Sequence, residues 1–161
     1  TIWHLQEGSR PDSLTADSLY RVVSRFAPVA DSEAVAYSFW KVISPLPKPE
    51  NEYESIHLDP VDIQSIWQSG DYLNMVLQVM VKDKEHELSF IDNGITSNAN
   101  GTQTLHLTLF HHRKDDVEGF MQKYYLSVPL WHYEGKLNKG DTIVFELYTY
   151  KEGMTQRTFT Y

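Results

Sequence analysis

Residues 66–81 read IWQSGDYLNMVLQVMV, and the alternation within them decides the fold class. From Leu73 onward the odd positions Leu73, Met75, Leu77, Val79 and Val81 are all apolar, while Asn74 and Gln78 share the opposite phase with Tyr72, Val76 and Met80. A period of two puts the apolar set on one face of an extended strand. Ser69-Gly70-Asp71 supplies a turn just before it, because glycine takes positive φ freely and aspartate bonds nearby amides. A slip of one residue would expose the whole apolar row, so the register is well specified.

The same preference for extended structure runs through the composition. Aromatic residues make up 13% of the 161 residues, with ten Tyr and four Trp, and rings together with short β-branched runs favour strands. An all-β chain is expected, long enough for one ample core or two small ones. With 14 Lys and Arg against 22 Asp and Glu, the net charge is −8. Such a surface repels polyphosphate, so neither nucleic acid nor an anionic membrane is an expected partner. The absence of cysteine excludes disulfides, thiolate zinc sites and a cysteine nucleophile. No apolar run reaches the length of a membrane span. The chain begins at Thr1, and a mature or a trimmed form is expected, from which any targeting segment has been lost.

In chain order, residues 2–6 alternate as a short strand, and residues 7–12 break it. Residues 19–29 form a strand ending near Pro28, where proline suits a strand end or sheet edge. A helix from Thr15 capped by Asp17 is the rival reading, opposed by the β-branched pair Val22-Val23. Residues 34–44 form a stronger strand, stopped by Pro45, Pro47 and Pro49. A short strand at residues 55–58 leads to a domain boundary near Asp59-Pro60, which divides the chain into residues 1–58 and 59–161. Beyond it, strands at residues 85–91, 104–110, 123–130, 143–148 and 155–161 follow one another with turn residues between them, the pattern of a sandwich.

Chemistry-bearing motifs are sparse. The densest polar cluster is His111-His112-Arg113-Lys114-Asp115-Asp116, with His106 one strand-length earlier. Imidazole with carboxylate suits a divalent metal, and a metal-dependent hydrolase using His106, His111, His112 and Asp115 is the enzymatic alternative. Against it, His111 and His112 point to opposite faces of an extended chain, and Arg113 and Lys114 repel a cation. A charged loop is the simpler reading. His86 and His106 meet only if their strands pair in the right register. No GxSxG elbow and no phosphate-cradling glycine loop is present, so neither catalytic residues nor a cofactor is expected. Asn100-Gly101-Thr102 fits the glycosylation pattern but is more simply explained by a turn. Exposed rings, Trp131 among them, offer sugar faces a platform, which makes a glycan-binding accessory module the other alternative.

Asp59-Pro60-Val61, residues 66–74, His86-Glu87-Leu88-Ser89-Phe90, residues 105–112 with Asp115-Asp116, and the terminal Phe159-Thr160-Tyr161 together resemble the NigD-like family, envelope proteins of Bacteroides-type bacteria. The resemblance implies a small OB-like barrel followed by an immunoglobulin-like sandwich. It also implies a secreted or outer-membrane lipoprotein location after signal removal, with membrane attachment only through a lost N-terminal lipid anchor. It brings no catalytic residues. The family name derives from a proposed bacteriocin-immunity role and carries little mechanistic weight. The expected function, supported by the all-β plan, the acidic surface and the lack of catalytic motifs, is a non-enzymatic binding or immunity-like role through recognition of another protein. Trp67, Asn74, His111, His112, Asp115 and Trp131 are the candidate binding or motif residues. Asn74, polar on an aliphatic strand, needs a hydrogen-bond partner.

Overall fold

The structure, a computed structural model, describes residues 2–6, 15 and 18–161. The expected break at residues 7–12 lies outside the described residues, as does Asp17. Secondary structure among the described residues is all-β apart from two short 3-10 turns. The chain separates into two compact units, residues 1–42 and residues 43–161.

In the first unit β1 (His4–Leu5) pairs in parallel with β3 (Glu33–Lys41), which pairs antiparallel with β2 (Val22–Ala30). The strand reading of residues 19–29 therefore holds over the helical one. Pro28 falls beside a register shift on β2, a sheet-edge position where its missing amide costs no ladder bond. The three strands form an open sheet in the order β1-β3-β2, and no closed barrel occurs among the described residues.

The second unit holds a five-stranded and a three-stranded sheet. β5 (Asp62–Ser69), β6 (Tyr72–Val81) and β9 (Phe120–Pro129) form the smaller, with β6 central. The larger contains β4 (Lys48–Pro49), β7 (Glu87–Ser97), β8 (Gln103–His112), β10 (Thr142–Thr149) and β11 (Gly153–Thr160), ordered β11-β10-β8-β7-β4. β8 and β10 are parallel, because β9 between them in sequence lies in the other sheet. The apolar row of β6 is the core's centre: Leu73, Leu77 and Val79 are fully buried. It packs with Leu126 and Val128 of β9, and with Phe90, Leu105, Leu107, Ile143 and Phe145 from the other sheet. Full burial of each such side chain contributes about 1.5–3 kcal/mol.

Residues 43–58 pack with the second unit, although the sequence grouped them with the first. Ile43 bridges Leu126 of β9, and β4 pairs with Ile91 and Asp92 of β7. The prolines stop a long strand, as expected, but their extended backbone still reaches sheet edges. No strand forms over residues 55–58. Instead residues 57–61 enter the larger sheet where β8 and β10 diverge, with Leu58 bridging His111 and Val61 bridging Thr149. Asn93-Gly94 forms a bulge inside β7, and Gly94 takes φ 91° there.

Candidate functional site

Two histidines sit in phase with apolar rows. On β8 the inward positions run Leu105, Leu107, Leu109 and then His111, and on the other strand of that hairpin His86 precedes Leu88 and Phe90 by the same period. The register Leu88↔His111 brings the rings together: His86 Nδ1 lies 2.9 Å from His111 Nε2. His86 Nε2 lies 3.3 Å from Asp116 Oδ2, and His111 Nδ1 is 2.9 Å from the Asp59 carbonyl oxygen. Exposures of 6%, 1% and 5% for His86, His111 and Asp116 place the array out of solvent. It runs in a line from a carboxylate, through two imidazoles, to a carbonyl.

A tight turn carries Asp116 inward. Lys114 and Asp115 both adopt φ 56°, a left-handed conformation that is uncommon for residues other than glycine, and the Asp116 amide donates to the Arg113 carbonyl. The facing loop holds the turn, with Lys84 Nζ donating to the carbonyls of Lys114 and Asp115. Asp116 accepts the amides of Lys82 at 2.7 Å, Asp83 at 3.1 Å and Val117 at 3.0 Å. Burial pushes its carboxyl up, but amides from the loop and the His86 ring outweigh it and hold the group well below the usual carboxylate range. Burial pushes the His111 imidazole down, against a raising contribution from the Asp59 carbonyl. Asp59 is itself pinned, accepting the Arg113 amide at 2.9 Å with Arg113 Nε at 3.4 Å.

The other candidates are dispersed. His106 is on the outer face of β8, where its Nε2 is 3.0 Å from Thr96 Oγ1. His112 points opposite to His111 and stacks on His57 with ring centroids 3.5 Å apart. Asp115 is exposed. His106, His111, His112 and Asp115 therefore do not converge, and the metal-hydrolase reading is corrected: His111 faces away from His106 and His112, those two sit six residues apart along β8, and Asp115 lies in the turn beyond the strand. His86 meets His111 rather than His106. In the buried array His86 uses its two nitrogens on different partners, which is a chain and not a coordination sphere. Among the described residues no group of three or more His, Asp or Glu is arranged to hold a metal. Nor does the array present a reactive group, since both its ends are occupied by Asp116 and the Asp59 carbonyl.

Asn74 finds its partner directly across the ladder: Ser127 Oγ, on β9, donates to Asn74 Oδ1 at 2.8 Å. Trp67 on β5 is 45% exposed, and Trp131 is 48% exposed in the 3-10 turn Leu130–Tyr133, where it meets the edge of His132. The outer face of the larger sheet carries an open groove of about 570 Å³ between Glu50, Leu58, Asn93, His106, Glu146 and Met154. Tyr53 roofs a neighbouring part of that face, stacking on Phe110 and donating to the Phe90 carbonyl at 2.8 Å. The sequence singled out His111 but missed His86 and Asp116 as its neighbours. The in-phase histidines were the available sign.

With this geometry described, the chain can be set against known proteins. The profile of the NigD-like C-terminal beta sandwich domain matches residues 44–161. The chain belongs to the NigD-like family. The matched segment coincides closely with the second compact unit. The chain is similar to the crystal structure of a NigD-like immunity protein from Bacteroides caccae, at 32% identity and a TM-score of 0.74, over 88% of this chain and 76% of that one. A putative toxin-related protein from Parabacteroides distasonis shares the fold at 18% identity and a TM-score of 0.63, covering 88% and 72% of the two chains. A protein of unknown function from Bacteroides vulgatus does so at 19% and 0.62, covering 86% and 68%. No curated protein matches the sequence.

Proposed function

We propose that this NigD-like chain is a non-enzymatic, immunity-like protein that acts by binding another protein, a toxin of the bacteriocin type. The observation that carries the reading is its 32% identity, over 88% of its length, to a protein described as a NigD-like immunity protein. Two features of the site support it. The buried array of titratable groups described above is occupied at both ends, and among the described residues the strand faces carry rings and carboxylates without a convergent metal-binding set. The acidic balance of −8 favours a basic partner through long-range attraction.

The finer architecture belongs to the same proposal: an OB-like unit toward the N-terminus and an immunoglobulin-like sandwich after it, on a secreted or lipid-anchored envelope protein. The test is expression in a bacteriocin-sensitive Bacteroides-type strain challenged with supernatants of producing relatives, beside a cross-linking pull-down from envelope extract. Protection together with one recovered toxin is the expected result. Unchanged killing across the panel and no specific partner would overturn the proposal.

A further inference from the structure

The buried array can be counted proton by proton. Its two ends are acceptors: the Asp59 carbonyl faces His111 Nδ1 at 2.9 Å, and the Asp116 carboxylate faces His86 Nε2 at 3.3 Å. Each of those ring nitrogens must carry hydrogen to make its bond, because a carbonyl and a carboxylate can only accept. The inner pair, His86 Nδ1 and His111 Nε2 at 2.9 Å, needs one hydrogen between them. Two hydrogens there would oppose each other, and none would leave two lone pairs in contact. Four ring nitrogens therefore hold three protons, whereas two neutral imidazoles hold two.

We infer that His86 and His111 share one proton beyond their neutral complement in the folded protein at neutral pH, forming a buried imidazolium pair neutralised by Asp116 and latching residues 57–61 to β8. Asp116 already accepts three backbone amides and is ionised, and beside that carboxylate any arrangement of two neutral imidazoles leaves one lone pair facing another acceptor inside the protein. Of the two rings, His86 is the one that touches the Asp116 carboxylate, so the extra proton rests there.

The charges around the array fit this assignment. Asp59 directs its carboxylate to Arg113, not to the rings. On the facing loop Lys82 and Asp83 give Asp116 their amides, while their side chains pair with each other at 3.9 Å in solvent. Lys84 is spent on the carbonyls of Lys114 and Asp115, and Lys114 faces Glu87 at 3.9 Å. On β9, Tyr124 is held neutral by burial and by the charges of Glu85 and Asp116. Asp116 is thus the one carboxylate in contact with the rings.

The latch matters because of what it holds. The Asp59 carbonyl lies in the segment that enters between β8 and β10, and Ile56 and Leu58 just before it line the outer groove. Losing the third proton weakens the seating of that segment, and adding a fourth forces the rings apart. The device therefore ties one wall of the groove to pH in both directions, whatever the partner is.

The test is long-range ¹H–¹⁵N correlation NMR of the unmodified full chain at pH 7, with urea unfolding across pH 5–9 beside it. Three protonated nitrogens and one bare nitrogen across His86 and His111 are expected. The folding constant should be greatest near pH 6.5 and fall by up to tenfold per pH unit on the alkaline side until the proton leaves, since the native state then binds one proton more than the unfolded chain. Two protonated and two bare nitrogens at pH 7 would overturn the inference, as would four protonated ones.

Discussion

Tyr133 ties the two sheets together through a single polar contact, and replacing it separates what the hydroxyl contributes from what the ring contributes. The residue follows β9 in the smaller sheet, is 1% exposed, and donates its hydroxyl to Asp92 Oδ2 of β7 at 2.9 Å. Hydrogen bonds to charged acceptors contribute about 1.5–3 kcal/mol. Asp92 is only partly buried and also accepts the Gly94 amide, so water can replace part of what is lost. Tyr133→Phe should therefore cost about 1–1.5 kcal/mol, below that range because solvent screens the partner. Tyr133→Ala also empties the ring's volume, and such truncations cost about 3–5 kcal/mol. With urea slopes of about 1–3 kcal/mol/M, the Phe variant should move the midpoint by about 0.3–1.5 M, and the Ala variant by at least about twice as much at the same slope. Alkaline pH gives a second readout. Burial, then the Asp92 charge, raises the phenol well above its ordinary value of 10.0. A raised value means stability that is fully present below about pH 10 and lost as pH climbs toward the folded value. Tyr133→Phe removes that contribution and should flatten the alkaline decline. A Phe variant as damaging as the Ala variant, or one with an unchanged midpoint and an unchanged alkaline slope, would refute the reasoning.

Other outcomes follow from single contacts. Gly119→Ala would place a Cβ 2.8 Å from the Val81 carbonyl oxygen and 3.0 Å from Lys82 Cβ; a ladder carbonyl cannot swing aside, so a loss of about 1–3 kcal/mol is expected by thermal unfolding. Asp141 is buried and accepts the amides of Gln103 at 2.8 Å and Asn138 at 2.7 Å. Asp141→Ala should speed hydrogen exchange at those two amides and cost about 1–3 kcal/mol for leaving donors unpaired. Acid should weaken the fold in two stages. His111 is held below its ordinary 6.5, so its contribution is present above that pH and fades as pH falls beneath it. Asp116 is held below its ordinary 3.8, so its contribution persists above that value and is lost further down. Urea midpoints that stay level between pH 6.5 and pH 3 would contradict both assignments.

Much of this protein was legible from alternation alone. The row Leu73, Met75, Leu77, Val79 and Val81 could lie in only one way across an extended strand, and all five are buried. Gly70 at φ 54° makes the turn that its sequence announced. His111 and His112 had to face apart, because period two leaves no other choice. These are local consequences of backbone geometry, and local geometry is what a sequence specifies directly.

Pairing between distant segments is a different matter, because it depends on which free backbone edges remain once the core has closed. The bulge between Asp92 and Ile95 sets the β7–β8 register, and with it the meeting of His86 and His111, yet an Asn-Gly pair announces only a local turn and not that offset. Asp116 looks like surface charge in its own loop. It is buried because two left-handed residues turn it toward amides of a loop that is distant in sequence, and a buried carboxylate needs those amides once water is gone. Residues 43–61 carry prolines that read as a linker, but the larger sheet offers open ladder positions at β7, β8 and β10, and unpaired backbone fills them. The strands and their inner faces were therefore set by the sequence itself, whereas the place of residues 43–61 and the four groups of the buried array were set by tertiary packing.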